Sequence, residues 1–418
     1  MEPLAETLKS RGLIYQHSGD SLEGITESGP HTLYLGFDPS ADSLHVGHLA
    51  PYMLVRKFVA AGHKAILLVG GGTGMIGDPS FKDAERQMRG GAAVTAKAAK
   101  MSEQVKTILG VGDIEVVNNA QWLSSLSVIE FLRDTGKHFT VNAMIQKEMV
   151  KKRVEDPNQS ISYTEFSYPL LQSYDYFHLN QEKNCTLQIG GSDQWGNITA
   201  GIDFIRRKVG QTVHGITAPL IVDKATGKKF GKSEGNAIWI DREKTTPYAF
   251  YQFWVNASDE SVIDYLKIFT EISLSEIAEL SEQLKSNPGE RAAQKRLAFE
   301  VTKLIHGEEE ATKTQNNAAQ MFSGAVDLDA AIVAGVPSFA LSKTDIVSGK
   351  AMVDVLVESA LAPSKREART LIEAGAIMLG GEKVTDPAQM LLASDFATTS
   401  KILLKKGKRD MVVLHVEG

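Results

Sequence analysis

The first half of the chain alternates short apolar runs with longer segments in which apolar residues recur at helical spacing. The short runs have the length of strands and contain few polar residues, as expected of parallel strands that are covered on both faces. They lie at 32–35, 65–69, 186–189 and 219–222. Strands and helices that alternate in this way predict a doubly wound, Rossmann-type α/β domain with a parallel sheet over residues 1–222.

Several residues in this domain are typical of helix ends. Ser127 and Glu130 form a capping-box pattern, and the helix that they begin should end near Gly136. Gly62 and Gly210 each follow an amphipathic stretch. Both predict a helix C-terminus, because glycine readily adopts the left-handed conformation found there.

Beyond residue 222 the pattern changes. Residues 223–322 contain a lysine-rich loop and then helical periods, which predict an all-α domain. Residues 323–348 are rich in Ala, Val, Ser and Asp and predict a linker. Residues 349–418 combine two helical stretches with short strands and a final hairpin, and predict a small α+β domain.

Composition and charge exclude several classes of protein. No apolar stretch approaches the roughly 20 residues that cross a bilayer, and the N-terminus lacks the pattern of a signal peptide. Cys185 is the sole cysteine, which suits a reducing compartment, so we expect a cytoplasmic protein without a membrane partner. A net charge of −6 argues against wholesale coating of nucleic acid but is compatible with a local basic face that binds a folded RNA, and we expect no DNA partner. No Cys/His cluster has metal-ligand spacing, so we expect no structural metal.

His45 and His48 lie just after a predicted strand, at the start of an amphipathic helix. The free N–H groups and positive potential of a helix N-terminus favour phosphate, and two imidazoles one turn apart add hydrogen-bond donors. Gly47 between them leaves room for a base or a ribose against the backbone. The alternative is that both histidines are ordinary surface residues.

A second loop carries Lys229 and Lys232 on either side of Gly231 and ends at Ser233. Two ammonium groups on a glycine-containing loop can follow the negative charge that moves when pyrophosphate leaves. The alternative is a solvated basic loop. The loop is not an NTPase phosphate loop, because the spacing from Gly227 is one residue short and no strand–loop–helix unit follows.

The string 72–77 matches a dinucleotide-binding fingerprint and follows a predicted strand. Asp78 and Pro79 interrupt it, and no strand that ends in an acidic residue follows at the required distance. We therefore interpret it as a flexible loop that carries Asp78 into a pocket, with Lys82 and Arg86 just beyond.

Tyr168, Gln172 and Asp175 are spaced i, i+4, i+7 and so share one stripe of a predicted helix. The other residues of this helix are largely apolar. Three polar groups on one stripe predict a pocket wall, and the alternative is a stripe that faces solvent.

Taken in order, these features resemble those of class I aminoacyl-tRNA synthetases, in which a histidine loop and a lysine loop flank the ATP site. The more specific resemblance is to the bacterial tyrosyl-tRNA synthetases. It is carried by the segments 34–39, 77–80, 118–119, 164–168, 171–175 and 188–197. The C-terminal part, 349–418, resembles a small RNA-binding domain of a ribosomal protein, so the resemblance extends over most of the chain.

This resemblance implies a tyrosine–tRNA ligase. Such an enzyme activates L-tyrosine with ATP to give tyrosyl-adenylate and pyrophosphate, and then transfers tyrosine to the 3′ end of tRNA(Tyr). ATP is then a substrate, and Mg²⁺ accompanies its phosphates. The resemblance also implies a homodimer, with residues 126–158 as the interface. The sequence itself shows only apolar helix faces there, and packing within the chain explains these equally well.

The resemblance further implies roles for individual residues. Tyrosine would be bound by Tyr34, Asp78, Tyr168, Gln172, Asp175 and Gln188. Of these, Tyr34 and Asp175 would bind the phenol. The ammonium group would lie among Asp78, Tyr168 and Gln172. The adenylate would contact Gly36, Asp38, His45, His48, Gly191, Asp193, Gln194 and Lys232. The catalytic residues that stabilise the phosphate and the departing pyrophosphate would be Ser40, His45, His48, Lys82, Arg86, Lys229, Lys232 and Ser233.

Three alternatives stay open at this point. A tryptophanyl-type synthetase shares the catalytic core but lacks the C-terminal RNA-binding unit and needs no phenol-binding pair. A non-catalytic RNA-binding protein with a synthetase-like fold would not need the histidines and lysines of the two loops. A small-molecule adenylyltransferase often carries a similar histidine motif but has no use for the C-terminal part.

Overall fold

The computed structural model describes residues 2–39, 41–78, 91–110, 114–227, 230–233, 236–323, 328–333, 336–396, 400–407 and 410–417. The chain divides into two compact units. The first contains Met1–Asp241 and Ser258–Ala293, and the second contains Arg242–Ala257 and Gln294–Gly418. Each unit is described by itself.

A six-stranded sheet forms the centre of the first unit, within the described residues. Its strands are β1 Gln16–His17, β2 Thr32–Phe37, β3 Lys64–Val69, β4 Glu115–Asn118, β5 Cys185–Gly191 and β6 His214–Ala218. Their spatial order is β1-β6-β5-β2-β3-β4, and every neighbouring pair is parallel except β1 and β6. The predicted Rossmann-type parallel sheet is therefore confirmed. The order reverses between β2 and β5, and in open α/β sheets ligands bind at that junction, outside the carboxyl ends of the strands.

The α-helices are numbered along the whole chain. They are α1 Leu4–Ser10, α2 Leu22–Thr26, α3 Leu49–Ala60, α4 Thr73–Ile76, α5 Gly91–Leu109, α6 Ala120–Leu123, α7 Val128–Asp134, α8 Val141–Ile145, α9 Glu148–Glu155, α10 Tyr163–Lys183, α11 Trp195–Val209, α12 Pro247–Val255, α13 Val262–Phe269, α14 Leu274–Ser286, α15 Ala292–His306, α16 Glu308–Ser323, α17 Leu328–Val333, α18 Lys343–Ser348, α19 Met352–Glu358 and α20 Lys365–Glu373. Short 3₁₀ helices lie at Val46–His48, Gly136–His138, Ser192–Gln194, Pro288–Glu290 and Ala393–Phe396. In the part of the chain that the structure describes, no helix is long and apolar enough to cross a membrane.

The predicted helix ends are present. The Ser127 hydroxyl accepts a hydrogen bond from the Glu130 N–H in a full capping box at the start of α7. Gly62 and Gly210 have φ angles of 93° and 67° just after α3 and α11. These are left-handed conformations that favour glycine, as the helix patterns predict.

The predicted strand at 219–222 is wrong, because the strand lies earlier, at β6. Pro219 has no N–H to donate to a neighbouring strand, so pairing stops at Ala218. Within β6, Gly215 breaks the apolar run. A Cβ atom at Gly215 would lie 2.3 Å from the Cγ2 atom of Ile198, so glycine is needed where α11 packs on the sheet.

The string 72–77 also differs from its prediction as a flexible loop. Thr73–Ile76 form the short helix α4, which ends at Gly77 with a φ of 89°. Gly72 and Gly77 of the string that resembled a dinucleotide fingerprint therefore flank one helical turn, and this turn leads directly to Asp78.

The second unit contains α12, the part of α15 from Gln294 onward, the helices α16 to α20, and a small sheet. In its described residues, β9 Ser338–Leu341, β11 Ile377–Leu379, β12 Glu382–Val384, β14 Lys401–Lys406 and β15 Asp410–Val416 form a sheet in the order β12-β11-β14-β15-β9. Two smaller ladders pair β10 Lys350–Ala351 with β13 Met390–Leu391 and, in the first unit, β7 Lys232–Ser233 with β8 Asn236–Ala237. The predicted hairpin is β14–β15. Residues 338–348, within the predicted linker, form β9 and α18, and β9 pairs in parallel with β15.

Candidate functional site

Small or polar residues end β4 and β5 and directly follow β2 and β3, so that they meet at one edge of the first sheet. Glycine at the end of β3 is required by its neighbours. A Cβ atom at Gly70 would lie 2.0 Å from the Oδ1 atom of Asp38, and one at Gly71 would lie 2.1 Å from the Oδ1 atom of Asn118. Gly70 and Gly71, just after β3, therefore leave space at this edge for the polar side chains of Asp38 and Asn118.

Tyr34 and Gln188 are directly opposite each other in the register of β2 and β5. Both side chains are buried. Among the described residues, neither the Tyr34 hydroxyl nor the Gln188 Oε1 atom has a hydrogen-bond partner. A buried polar atom without a partner costs about 1–3 kcal/mol, so the pair is suited to a ligand that supplies polar groups of its own.

Asp175 lies in the same buried region and is 1% exposed. Its carboxylate accepts hydrogen bonds from the indole N–H of Trp122 at 2.7 Å and from the Nδ2 atom of Asn119 at 2.8 Å. Burial raises the pKa of Asp175 from 3.8 to about 7, against the opposing effect of these two donors. Burial and the nearby charge of Asp175 raise the pKa of Tyr34 well above its ordinary value, so Tyr34 is a neutral hydroxyl.

A chain of hydrogen bonds connects Asp175 to Asp38. The Asn119 Nδ2 atom also donates to the Thr73 hydroxyl at 2.9 Å, and that hydroxyl donates to Asp38 at 2.8 Å. The other Asp38 oxygen accepts from the Tyr168 hydroxyl at 2.9 Å. Tyr168 and Asp38, which the resemblance assigns to different parts of the substrate, are therefore in direct contact.

A second set of amides lies beside this chain. The Gln172 Nε2 atom donates to Gln194 Oε1 at 3.2 Å, and the Gln194 Nε2 atom donates to Asp78 at 2.6 Å. Asn197 donates to Gln172 at 3.1 Å. The stripe of α10 therefore lies against the carboxyl edge of the sheet, with Tyr168 and Asp175 buried, and the alternative of a solvent-facing stripe is wrong.

Four polar residues of this network have no predicted role. Asn119 and Thr73 connect the two aspartates, Trp122 donates to Asp175, and Asn197 orients Gln172. A usable signal was present for Asn119, because polar residues at the carboxyl end of a parallel strand commonly face a ligand. Thr73 and Trp122 carried no comparable signal in the sequence.

The histidine loop and the lysine loop, far apart in sequence, are in contact. The rings of His45 and His48 stack with centroids 3.8 Å apart, and the Nδ1 atom of His45 accepts from the Gly47 N–H at 3.1 Å. Gly231 has a φ of 93°, and a Cβ atom there would lie 2.9 Å from the Gly47 nitrogen. Both glycines are therefore required for this close approach of the two backbones.

Gly36 and Gly191 lie at the carboxyl ends of β2 and β5, on either side of the junction where the strand order reverses. Gly36 is exposed. A Cβ atom at Gly191 would lie 2.5 Å from Asp193 Oδ1, so this glycine permits Asp193 to fold back over the strand end.

Some predicted residues lie outside the described residues: Ser40, Lys82, Arg86 and Lys229. The side chains of Lys232 and Ser233 do so as well, although their backbone forms β7. In the described ranges, no group of three or more His, Cys, Asp or Glu side chains could hold a metal ion.

Comparison with known families gives two matches. Residues 26–323 match the tRNA synthetases class I (W and Y). Residues 327–414 match the tyrosine–tRNA ligase SYY-like C-terminal domain.

Individual relatives agree with these matches. The tyrosine–tRNA ligase of Streptococcus equi subsp. zooepidemicus is 47% identical over 98% of this chain and 99% of that protein. The solved structure of a C-terminally truncated mitochondrial tyrosyl-tRNA synthetase of Aspergillus nidulans is 31% identical, with a TM-score of 0.69, over 77% of this chain and 95% of that one. A Plasmodium falciparum tryptophanyl-tRNA synthetase, 18% identical with a TM-score of 0.55 over 80% of this chain and 90% of that one, shares the fold.

Proposed function

Because the chain belongs to the tyrosine–tRNA ligases, a family of class I tRNA synthetases, we propose that it activates L-tyrosine with ATP and transfers it to tRNA(Tyr) by way of the pocket at the β2–β5 junction. The observation that carries this proposal is the buried group of Tyr34, Gln188 and Asp175. A tryptophanyl-type enzyme accounts neither for this group nor for the match of residues 327–414.

The phenol of tyrosine fits between Tyr34 and Asp175. Asp175 retains acceptor capacity beyond its bonds to Trp122 and Asn119, because each carboxylate oxygen can accept two hydrogen bonds. The neutral Tyr34 hydroxyl can donate to the phenol oxygen. A substrate without the hydroxyl would leave both groups unsatisfied in a buried site, which is the basis for rejection of phenylalanine.

The ammonium group is then placed near the mouth of the pocket, among Asp78, Tyr168 and Gln172. Asp78 supplies the negative charge, and its bond from Gln194 holds it in position. Tyr168 donates its proton to Asp38, so its oxygen is left to accept from the ammonium group. Gln188 lines the buried side of the pocket.

The adenylate is proposed to lie over the glycines at the strand ends, with its phosphate against the two loops. It would contact Gly36, Asp38, His45, His48, Gly191, Asp193, Gln194 and Lys232. The tyrosine carboxylate attacks the α-phosphorus of ATP, and the bond to the pyrophosphate oxygen breaks. Such a step needs positioning and charge stabilisation more than a covalent nucleophile. The catalytic cations, imidazoles and hydroxyls would be those of Ser40, His45, His48, Lys82, Arg86, Lys229, Lys232 and Ser233.

In the second step, the terminal ribose hydroxyl of the tRNA attacks the carbonyl carbon of the adenylate, and AMP leaves. We assign part of the tRNA binding to residues 349–418. The domain boundaries stay a proposal: a catalytic domain at 1–222, a loop and helical domain at 223–322, a linker at 323–348 and an RNA-binding domain at 349–418. Mg²⁺ is proposed to enter with ATP. A cytoplasmic location is proposed from the single cysteine, which is buried and free.

Amino-acid-dependent exchange of labelled pyrophosphate into ATP tests the proposed activity directly. Tyrosine should support exchange, whereas tryptophan and phenylalanine should not, because neither supplies a phenol to the buried pair. Exchange that depends on tryptophan instead would reject tyrosine as the substrate. A protein that binds RNA but exchanges with no amino acid would match the non-catalytic alternative.

We also propose that the chain forms a homodimer through residues 126–158. This stretch exposes several large apolar side chains in the single chain, namely Val128, Ile129, Leu132, Val141 and Val154. A contiguous exposed apolar surface is typical of a protein–protein interface. The β-branched and leucine side chains of α7, with its described capping box, would present this surface on a preformed helix.

Ile129→Glu should separate the dimer, because it places a carboxylate in an apolar contact. We expect the dissociation constant to rise by about 100-fold or more, measured by sedimentation velocity across a concentration series. Val347→Glu is the matched control, because Val347 is similarly exposed at 77% but lies in α18 of the second unit. An Ile129→Glu chain that sediments like the control would place the interface elsewhere.

A further inference from the structure

The segment that holds His45 pairs with the segment that follows the lysine loop. The Val46 N–H donates to the Ile238 carbonyl at 2.9 Å, and the Ile240 N–H donates to the Leu44 carbonyl at 2.9 Å. His45 lies opposite Trp239 between these two bonds. The exit of one loop is therefore hydrogen-bonded to the entry of the other.

A glutamine on α5 holds the outer end of this pairing. The Gln104 Oε1 atom accepts the Leu44 N–H at 2.9 Å, and its Nε2 atom donates to the Ser43 hydroxyl at 3.0 Å. The Ser43 side chain is fully buried, and its oxygen also accepts the Asp241 N–H at 3.3 Å. Gln104 thus contacts the segment before His45 directly, and the segment after Trp239 through one hydroxyl.

An ion pair from the same helix reaches the segment after Trp239. The Lys100 ammonium group lies 2.5 Å from the Asp241 carboxylate, whose side chain is 7% exposed. Lys100 precedes Gln104 by one helical turn, so the two side chains share a face of α5. Two adjacent contacts from one helix therefore set the position of both segments.

We propose that Gln104 and Asp241 are positioning residues for activation of the amino acid. They hold the histidine loop against the lysine loop in the arrangement that meets the transferring phosphate. The proposal rests on the proposed function, because it assigns the two loops to phosphate chemistry. Neither residue belongs to the tyrosine pocket built by Tyr34 and Asp175, so the effect of removing them should fall on the rate and not on tyrosine binding. A displacement of about 1 Å at a reacting group can lower the rate by about 100-fold.

Steady-state pyrophosphate exchange separates these two effects. Gln104→Ala should lower kcat by about 10- to 100-fold while the KM for tyrosine changes by less than about twofold. Gln104→Glu keeps an oxygen acceptor for the Leu44 N–H but loses the donor to Ser43, so it should recover part of the lost rate. Asp241→Asn, which weakens the pair with Lys100, should show the same split and gives a second route if Gln104→Ala fails to fold.

Glu103→Ala is the matched control, because Glu103 lies on the exposed face of α5 in a surface pair with Lys106. A Gln104→Ala enzyme with the control's rate would overturn the proposal. So would a fall in kcat accompanied by an equal rise in the KM for tyrosine, or no recovery with Gln104→Glu, because either outcome indicates general loss of structure. A wild-type chain without tyrosine-dependent exchange would reject the proposed function itself, and the positioning role with it. Wild-type exchange in the same assay therefore distinguishes the two failures.

Discussion

Asp175→Asn is expected to lower kcat/KM for tyrosine activation by about 1,000-fold, which corresponds to about 4 kcal/mol. The carboxylate accepts from Trp122 and from Asn119, one on each oxygen. An asparagine has one acceptor oxygen, so its amide nitrogen must face one of these donors in a buried site. The phenol of tyrosine loses its charged acceptor at the same time. Exchange kinetics with tyrosine as the varied substrate measure the loss.

The pH dependence of tyrosine binding provides a second signature of the same residue. Burial raises the pKa of Asp175 from 3.8 to about 7, so the ionised fraction grows as the pH rises through neutrality. The phenol O–H donates to the ionised form, and tyrosine should therefore bind more tightly at pH 8 than at pH 6. Asp175→Asn should remove this dependence, as measured by calorimetric titration at several pH values.

The same pKa shift acts in the opposite direction on stability. In the unfolded chain the carboxyl loses its proton near pH 3.8, whereas in the folded chain it keeps the proton to about pH 7. Its contribution to the free energy of unfolding is therefore fully present below pH 3.8 and is lost as the pH rises to about 7. In the Asp175→Asn variant, the free energy of unfolding should therefore not show this decrease between pH 3.8 and about pH 7.

Tyr176→Phe is the matched control for Asp175→Asn. Tyr176 is the next residue of α10 and is equally buried, but its hydroxyl donates to the His214 carbonyl at 2.7 Å. This variant should lose about 1 kcal/mol of stability and little tyrosine activation. A loss of activation as large as that of Asp175→Asn would mean that any disturbance of α10 disables the pocket. Unchanged activation in Asp175→Asn would remove the residue from the binding of the phenol.

The parts of the fold that follow from local pattern were predictable. β2, β3 and β5 are apolar because both faces of the sheet are covered, and α10 shows its polar stripe because the helical period repeats within a few residues. β6 was misplaced because its glycine serves the packing of Ile198, a residue of another element. The secondary-structure propensities of neighbouring residues do not depend on such a contact and so cannot predict it.

The connections within the site depend on the same kind of distant contact. Asn119 contacts both Thr73 and Asp175, and no spacing rule relates these three positions. The strand β9 shows the effect on a larger scale, because its partner β15 lies near the end of the chain. A four-residue segment of mixed composition becomes a strand when that partner is present, and by itself it is typical of a linker.

Removal of the C-terminal sheet should separate the two steps of the reaction. A chain that ends at Ser323 should retain tyrosine-dependent pyrophosphate exchange within about threefold, because every described residue of the tyrosine pocket and of the two loops lies in the first unit. The buried core of the C-terminal part is formed by residues between Leu341 and Leu414. The cut therefore removes this hydrophobic core as a whole and leaves none of its buried residues on the shortened chain.

Charging of tRNA by this shortened chain should fall by about 100-fold or more, because contacts of lysine and arginine side chains with RNA phosphates contribute strongly to affinity. Aminoacylation of tRNA(Tyr) at low salt, with exchange measured on the same preparation, gives both rates. Thermal unfolding serves as the control, because the cut also removes the contact of the Tyr248 hydroxyl with Met411 in the second unit. If the shortened chain charged tRNA normally, residues 349–418 would have no part in the transfer. If it lost exchange while remaining folded, the second unit would be needed for activation as well, and the separation of the two steps would be wrong.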